Sequence, residues 1–303
     1  MARRPGIGFV APSGQVLDPA ALERAASYFG ARGWRVVAPA ALHKTHQRFA
    51  GSDQVRLAAL HAMAARRDVQ LVLAARGGYG VTRLLPAIDY PLLAASGQRW
   101  VGHSDFTALL CAAYAAGRTG GFIGPTAAFD FGAEEVSPYT EAHFWRMVEG
   151  GSDAIEVVAE SPVCAAVTGT LWGGNLAMIA HLVGSPYLPR IRNGILFIED
   201  VGEHPYRVER MLHQLNNAGV LGRQKALLLG DFSGYRLGEN DRGYDFDAML
   251  AHLRGVLPIP VVTGLRFGHI RDKLTLPFGG RAALEIQRRN WQLSYQASAN
   301  RPG

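Results

Sequence analysis

The chain has 303 residues, 48% hydrophobic and 18% charged, enough for one large or two ordinary domains with a sizeable core, which excludes global disorder. Its formal net charge of +6 comes from 31 Lys+Arg against 25 Asp+Glu, but the basic residues are scattered, so no phosphate-tracking stripe and no nucleic-acid partner are expected. Two cysteines (Cys111 and Cys164) give neither a disulfide framework nor a zinc spacing, and no apolar run is long enough to span a bilayer. MARRPGIGFVAPSG lacks the apolar core of a signal peptide, so a cytoplasmic enzyme without membrane contact is the expectation.

In chain order, IGFVAP (7–12) reads as a first strand running into a Pro-Ser-Gly loop. LDPAALERAASYFGARG follows with helical periodicity, Leu22, Ala25, Ala26 and Phe29 sharing a face and Gly33 closing it. WRVVAP (34–39) is a second strand, residues 53–66 a second helix, and VQLVLAA (69–75) a wholly apolar third strand. RWVGH (99–103), FTALLCAAYAAG and GFIGP (121–125) continue as strand, helix and strand. Such alternation with continuous apolar strands implies a parallel sheet covered on both faces, with function gathered at the carboxyl ends of its strands. The loops APSG, RGGYG and GHSD all begin there.

The pattern changes after about residue 130. A helix over 137–150 reads as a connector. Strand-like pieces then dominate (AIEVVA, VTGTLW, GILFIED, KALLLGDF, PVVTGL, KLTLPFG, AALEIQ, QLSYQ), interrupted by helices at GNLAMIAHLVG and HPYRVERMLHQLNNAG. The organisation expected is therefore an α/β parallel-sheet domain over 1–135, a connector over 136–165 and a strand-rich α/β domain over 166–303.

Ser104 stands at the corner between the strand RWVGH and the helix FTALLCAAY. Such a serine is either a helix N-cap or a nucleophile presented on an elbow. A nucleophile needs a base. Of the ten histidines, His269 stands out, because it follows the apolar strand PIPVVTGL in a Gly-containing loop. His181 and His213 fall within amphipathic helices and read as structural, and strand alternation turns His103 away from Ser104. The apolar strand ILFI ends in Glu199 and Asp200; a carboxylate there needs a partner or a function, and the pattern leaves open which of the two orients a base. Asp200, Glu203 and His204 lack any accepted metal-ligand spacing, so no metal is expected. Paired glycines in RGGYG (76–80) let backbone N–H groups converge on an anion, either as a phosphate cradle or as half of an oxyanion hole, for which the donors would be the Gly78 and Asp105 N–H groups. A non-catalytic anion- or nucleotide-binding module, with Ser104 as a cap, is the reading of another class.

GHSDFTAL, ARGGYG, GTLWGGNLAMIAHLVGSPYLP, FIEDVGEHPYRVERMLHQL and GLRFGHIRDKLTLPFGG together resemble the L,D-carboxypeptidases, the murein tetrapeptide carboxypeptidases among serine peptidases, from the first strand to about residue 288. The resemblance implies a Rossmann-like N-terminal domain joined to a strand-rich C-terminal domain, with the site between them. It implies a Ser104–His269–Glu199 triad, choosing Glu199 over Asp200, and no cofactor. It implies a cytoplasmic murein tetrapeptide losing its terminal D-Ala during cell-wall recycling, and a homodimer. Arg76, Trp172 and Asn175 become candidate substrate contacts. The related microcin-immunity peptidases, which cleave peptidyl- or aminoacyl-nucleotide amides, share the triad; a stacking aromatic such as Trp172 would favour them.

Overall fold

The computed structural model describes residues 4–117 and 121–297, and two sheets organise them. The first is built from β1 (Gly6–Val10), β2 (Arg35–Val37), β3 (Leu71–Ala74), β4 (Arg99–Gly102) and β5 (Gly121–Ile123). Helices α1 (Pro19–Ala31), α2 (Asp53–Ala64), α3 (Tyr90–Ala95) and α4 (Phe106–Ala115) lie between these strands. All five strands pair in parallel, in the order β5-β4-β3-β1-β2. β1 and β3 are buried along their whole length, as continuous apolar strands between two helical layers must be.

The second sheet is mixed. It contains β6 (Ser152–Val158), β7 (Ala165–Asn175), β8 (Gly194–Val201), β9 (Gln224–Ser233), β10 (Val261–Val262), β12 (Gly280–Ile286) and β13 (Asn290–Gln296), in the order β10-β9-β8-β7-β12-β13-β6. The four strands β10, β9, β8 and β7 run parallel, and the β12, β13, β6 end is antiparallel. β6 and β13 alternate buried and exposed residues, as a sheet with one wet face does. The helices of this half are α6 (Leu176–His181), α7 (Pro205–Asn217) and α8 (Phe246–Val256).

Two features join the layers. The short strand β11 (Leu276–Phe278), from KLTLPFG, pairs antiparallel with β5 and so completes the first sheet, although it lies deep in the second half of the chain. Helix α5 (Pro138–Val148), within the expected connector, is bonded into the first layer: Phe144 meets Phe131 at 4.8 Å between ring centroids, and Trp145 meets Trp34 at 5.7 Å. Each such aromatic pair adds about 0.5–1.5 kcal/mol beyond burial. The strand that follows α5, β6, is an edge of the second sheet. Among the described residues no helix is long and apolar enough to cross a membrane.

Candidate active site

β4 delivers the chain to the carboxyl edge of the first sheet, and Ser104 turns it into α4 with φ of 60°. A non-glycine residue in the left-handed region costs roughly 1–2 kcal/mol. The side chain is not a helix cap. Asp105 holds the N-cap position, while the Ser104 carbonyl accepts the Thr107 N–H. The hydroxyl is therefore held out into a cavity of about 640 Å³, lined among others by Arg24, Arg76, Gly77, Gly78, His103, Phe129 and His269.

The RGGYG loop presses on this corner. A Cβ on Gly77 would lie 2.6 Å from Ser104 Cβ and 2.8 Å from its Oγ, so only glycine admits the approach. Asp105, almost fully buried, accepts the Val81 N–H at 2.9 Å and ties the end of that loop to the start of α4. Burial raises its carboxyl above the ordinary value, against hydrogen bonds that lower it. Arg56 is the buried brace that sequence reading missed. Its guanidinium donates to the carbonyls of Pro12 and Gly80 and pairs with Asp53, fastening the APSG and RGGYG loops together. Among the described residues no acceptor takes the N–H of Gly78 or of Asp105.

Glu199 is fully buried near the end of β8 and accepts from His269 Nδ1 at 2.7 Å. Asp200, its neighbour, points elsewhere: it accepts Asn175 Nδ2, the Ala177 N–H and its neighbour Val201 N–H, each at 2.9 Å, and so fastens the start of α6. Burial, with Glu199 close by, pushes the Asp200 carboxyl up to about 6. Glu199 thus sits on the imidazole and Asp200 on the start of the helix. The loop reaches Glu199 because Gly268, at φ of 151°, lets the chain pass where a Cβ would be 2.8 Å from Asp231 Cβ.

Burial opposes charge on His269, but the hydrogen bond and negative charge of Glu199 outweigh it, and the imidazole is raised above its ordinary 6.5. With Nδ1 donating to Glu199, Nε2 is the basic nitrogen. Among the described residues Ser104 Oγ makes no hydrogen bond to it; such contacts tighten when substrate fills the site.

His103 departs from expectation. It does not turn away but packs edge-on against His269, with ring centroids 5.1 Å apart, and lines the cavity. Its Nδ1 donates to the Gly124 carbonyl at 2.9 Å, and burial, followed by the charges of Lys273 and His269, holds it well below 6.5.

The three candidate contacts separate. Arg76 lines the cavity and donates to the Gln15 carbonyl at 2.8 Å. Trp172 does not reach it: the ring is wholly buried in the second sheet and its N–H goes to Gln224, so it offers a ligand no surface. Asn175 is buried too, caps α6 through the Met178 N–H, and donates to Asp200 and to Glu199 (3.3 Å), which makes it a brace for the acid pair. Arg24, on the polar face of α1, was not singled out in the sequence and lines the cavity with Arg76.

One buried ion pair supports the cavity wall. Lys273 Nζ, from the His269 loop, meets Asp130 at 2.8 Å with both side chains out of solvent, and lies 4.8 Å from the Phe129 ring. Asp130 also accepts the Thr126 N–H. Asp130→Ala is expected to cost about 3–5 kcal/mol, because it leaves a buried ammonium uncompensated. Urea unfolding measures it, and a loss below about 1 kcal/mol would contradict this account.

A hydroxyl on a strained corner, a glycine loop against it and an imidazole held by a buried carboxylate define a serine hydrolase on an α/β sheet. The chain belongs to the LD-carboxypeptidase family: the family's N-terminal domain matches residues 7–124 and its C-terminal domain residues 168–284. A probable murein peptide carboxypeptidase of Bacillus subtilis is 30% identical over 282 residues, 92% of this chain and 88% of that one. The crystal structure of muramoyltetrapeptide carboxypeptidase from Oxalobacter formigenes superposes with a TM-score of 0.91 at 46% identity, covering 96% of this chain and 98% of that one. The microcin C7 self-immunity protein MccF of Escherichia coli is 25% identical over 304 residues, 90% of this chain and 88% of that one.

Proposed function

We propose that the protein is a serine-type L,D-carboxypeptidase that removes the terminal D-Ala of murein tetrapeptide through a Ser104–His269–Glu199 triad. The observation that carries this reading is Ser104, at φ of 60°, sharing one cavity with a His269 held on buried Glu199. Ser104 Oγ attacks the carbonyl before the terminal D-residue and His269 Nε2 takes its proton. The Gly78 and Asp105 N–H groups receive the oxyanion. The intermediate collapses, His269 returns the proton to the departing D-Ala amine, and water, activated by the same imidazole, hydrolyses the acyl-enzyme. Arg76 sets positive charge where a substrate with several carboxylates needs it, beside Arg24, which is paired with Asp18 at 2.9 Å in the same cavity. The cytoplasmic address, the role in cell-wall recycling and the homodimer belong to the same proposal.

A second substrate class has one observation in its favour. Phe129 is 59% exposed and lines the cavity, a surface on which a base can stack, so aminoacyl-nucleotide amides are the competing substrate. The test is release of D-alanine from purified murein tetrapeptide alongside hydrolysis of an aminoacyl sulfamoyl adenosine. Faster kcat/KM on the tetrapeptide is the expected result. Hydrolysis of the nucleotide amide alone would transfer the triad to the second reading.

A further inference from the structure

We propose that Glu209, His213 and His252 form a binding site for one divalent transition-metal ion of the zinc class, on the surface where α7 packs against α8. Glu209 and His213 are four residues apart on α7 and therefore share a face. α8 brings His252 opposite them, so that the two Nε2 atoms stand 3.2 Å apart. Glu209 Oε1 is 3.8 Å from His213 Nε2, and one donor atom from each of the three residues lies within 4.8 Å of the others.

These spacings are those of a metal's first shell. Four donors at about 2.0–2.1 Å in a tetrahedron stand about 3.3–3.4 Å from one another. The imidazole pair is already at that separation, and the carboxylate needs only a small side-chain adjustment. Without an ion, the facing Nε2 atoms are satisfied only when one is protonated and the other is not. An ion takes both lone pairs. The free oxygen of the carboxylate is already used, because Tyr244 OH donates to Glu209 Oε2 at 2.6 Å, the outer-shell support that orients a ligating carboxylate. Two imidazoles and one carboxylate suit zinc, copper or nickel rather than magnesium or calcium, and water would complete the shell. None of the three residues lines the Ser104 cavity, so the ion acts as a clamp between α7 and α8.

The experiment is a titration of the full chain with Co²⁺ alone, read by visible absorption, followed by competition with Zn²⁺. About one equivalent is expected to bind with the absorption of a low-coordinate ion, and zinc is expected to displace it and raise Tm. His213→Ala and His252→Ala are each expected to abolish the band. Tyr244→Phe is expected to weaken binding about tenfold. Both histidines sit where alanine suits the helix, and metal-free Tm and turnover are expected to stay at wild-type values, so loss of the band reports binding. Three results would overturn the proposal: no uptake by wild type, a band that survives the double His variant, or a sulfur-to-cobalt band placing the ion on the exposed Cys164.

Discussion

Ser104→Ala is expected to lower kcat/KM for the tetrapeptide by roughly 10⁶-fold, while leaving substrate affinity and the fold nearly unchanged. Loss of a triad nucleophile costs about this much in serine hydrolases, and what remains is the contribution of the oxyanion donors and of binding. The stability side of the prediction is specific to this corner. Among the described residues the Ser104 side chain makes no hydrogen bond, so alanine removes no partner, yet it inherits the φ of 60°. Ser104→Gly relieves that strain. It is expected to be as inactive as Ser104→Ala but more stable than it by about 1 kcal/mol, read from urea midpoints. This pair separates a nucleophile from a cap. A capping serine would lose stability on going to alanine and keep its turnover; a nucleophile on a strained corner does the reverse. Wild-type turnover in Ser104→Ala would end the mechanism proposed here.

How far this site can be read from the chain depends on what each residue needs. The corner itself is local. A buried apolar strand on one side and a helical period on the other leave Ser104 between them, and RGGYG and His269 are marked by glycines beside strand ends. The misreading of His103 is also local. Alternation places side chains only while the chain remains a strand, but β4 ends at Gly102 and the left-handed turn at Ser104 resets the direction. The resemblance offers Trp172 as a contact and as a stacking aromatic, whereas Leu171–Asn175 are the buried end of β7. The pairing of β11, the Arg56 bond to Gly80 and the Lys273–Asp130 pair depend on partners 24 to 157 positions away, which no local period encodes. Helix α8 was missed although its signals are present: Asp245 caps it through the Ala248 N–H, and Met249, Leu250 and Leu253 form its buried face.

Glu199→Gln carries the second large effect and tests the triad through its pH dependence. Asn175 Nδ2 donates to Glu199 Oε1. In the glutamine variant that donor holds the amide carbonyl, which turns the amide NH₂ toward His269 Nδ1. The imidazole must then accept at Nδ1 and carry its proton on Nε2, the nitrogen that has to receive the Ser104 proton. The equivalent amide swap in Ser-His-Asp enzymes lowers kcat by about 10⁴-fold, and a loss of that order is expected here. The residual activity is expected to shift in pH as well. In the wild type, burial opposes the imidazolium but Glu199 raises it above 6.5. The stabilisation from that charged pair is complete below 6.5 and is lost as pH rises through the raised value. Activity has the opposite sign, because only neutral imidazole is a base, so kcat/KM climbs through the same window. Removing the Glu199 charge leaves burial and Lys273 as the main influences, both lowering the pKa, and the limb should move to lower pH. Profiles of kcat/KM for the two proteins between pH 5 and 9, on the scale over which histidine titrates, read this directly. A variant whose limb stays at the wild-type position would show that Glu199 does not set the basicity of His269, whatever the loss of rate.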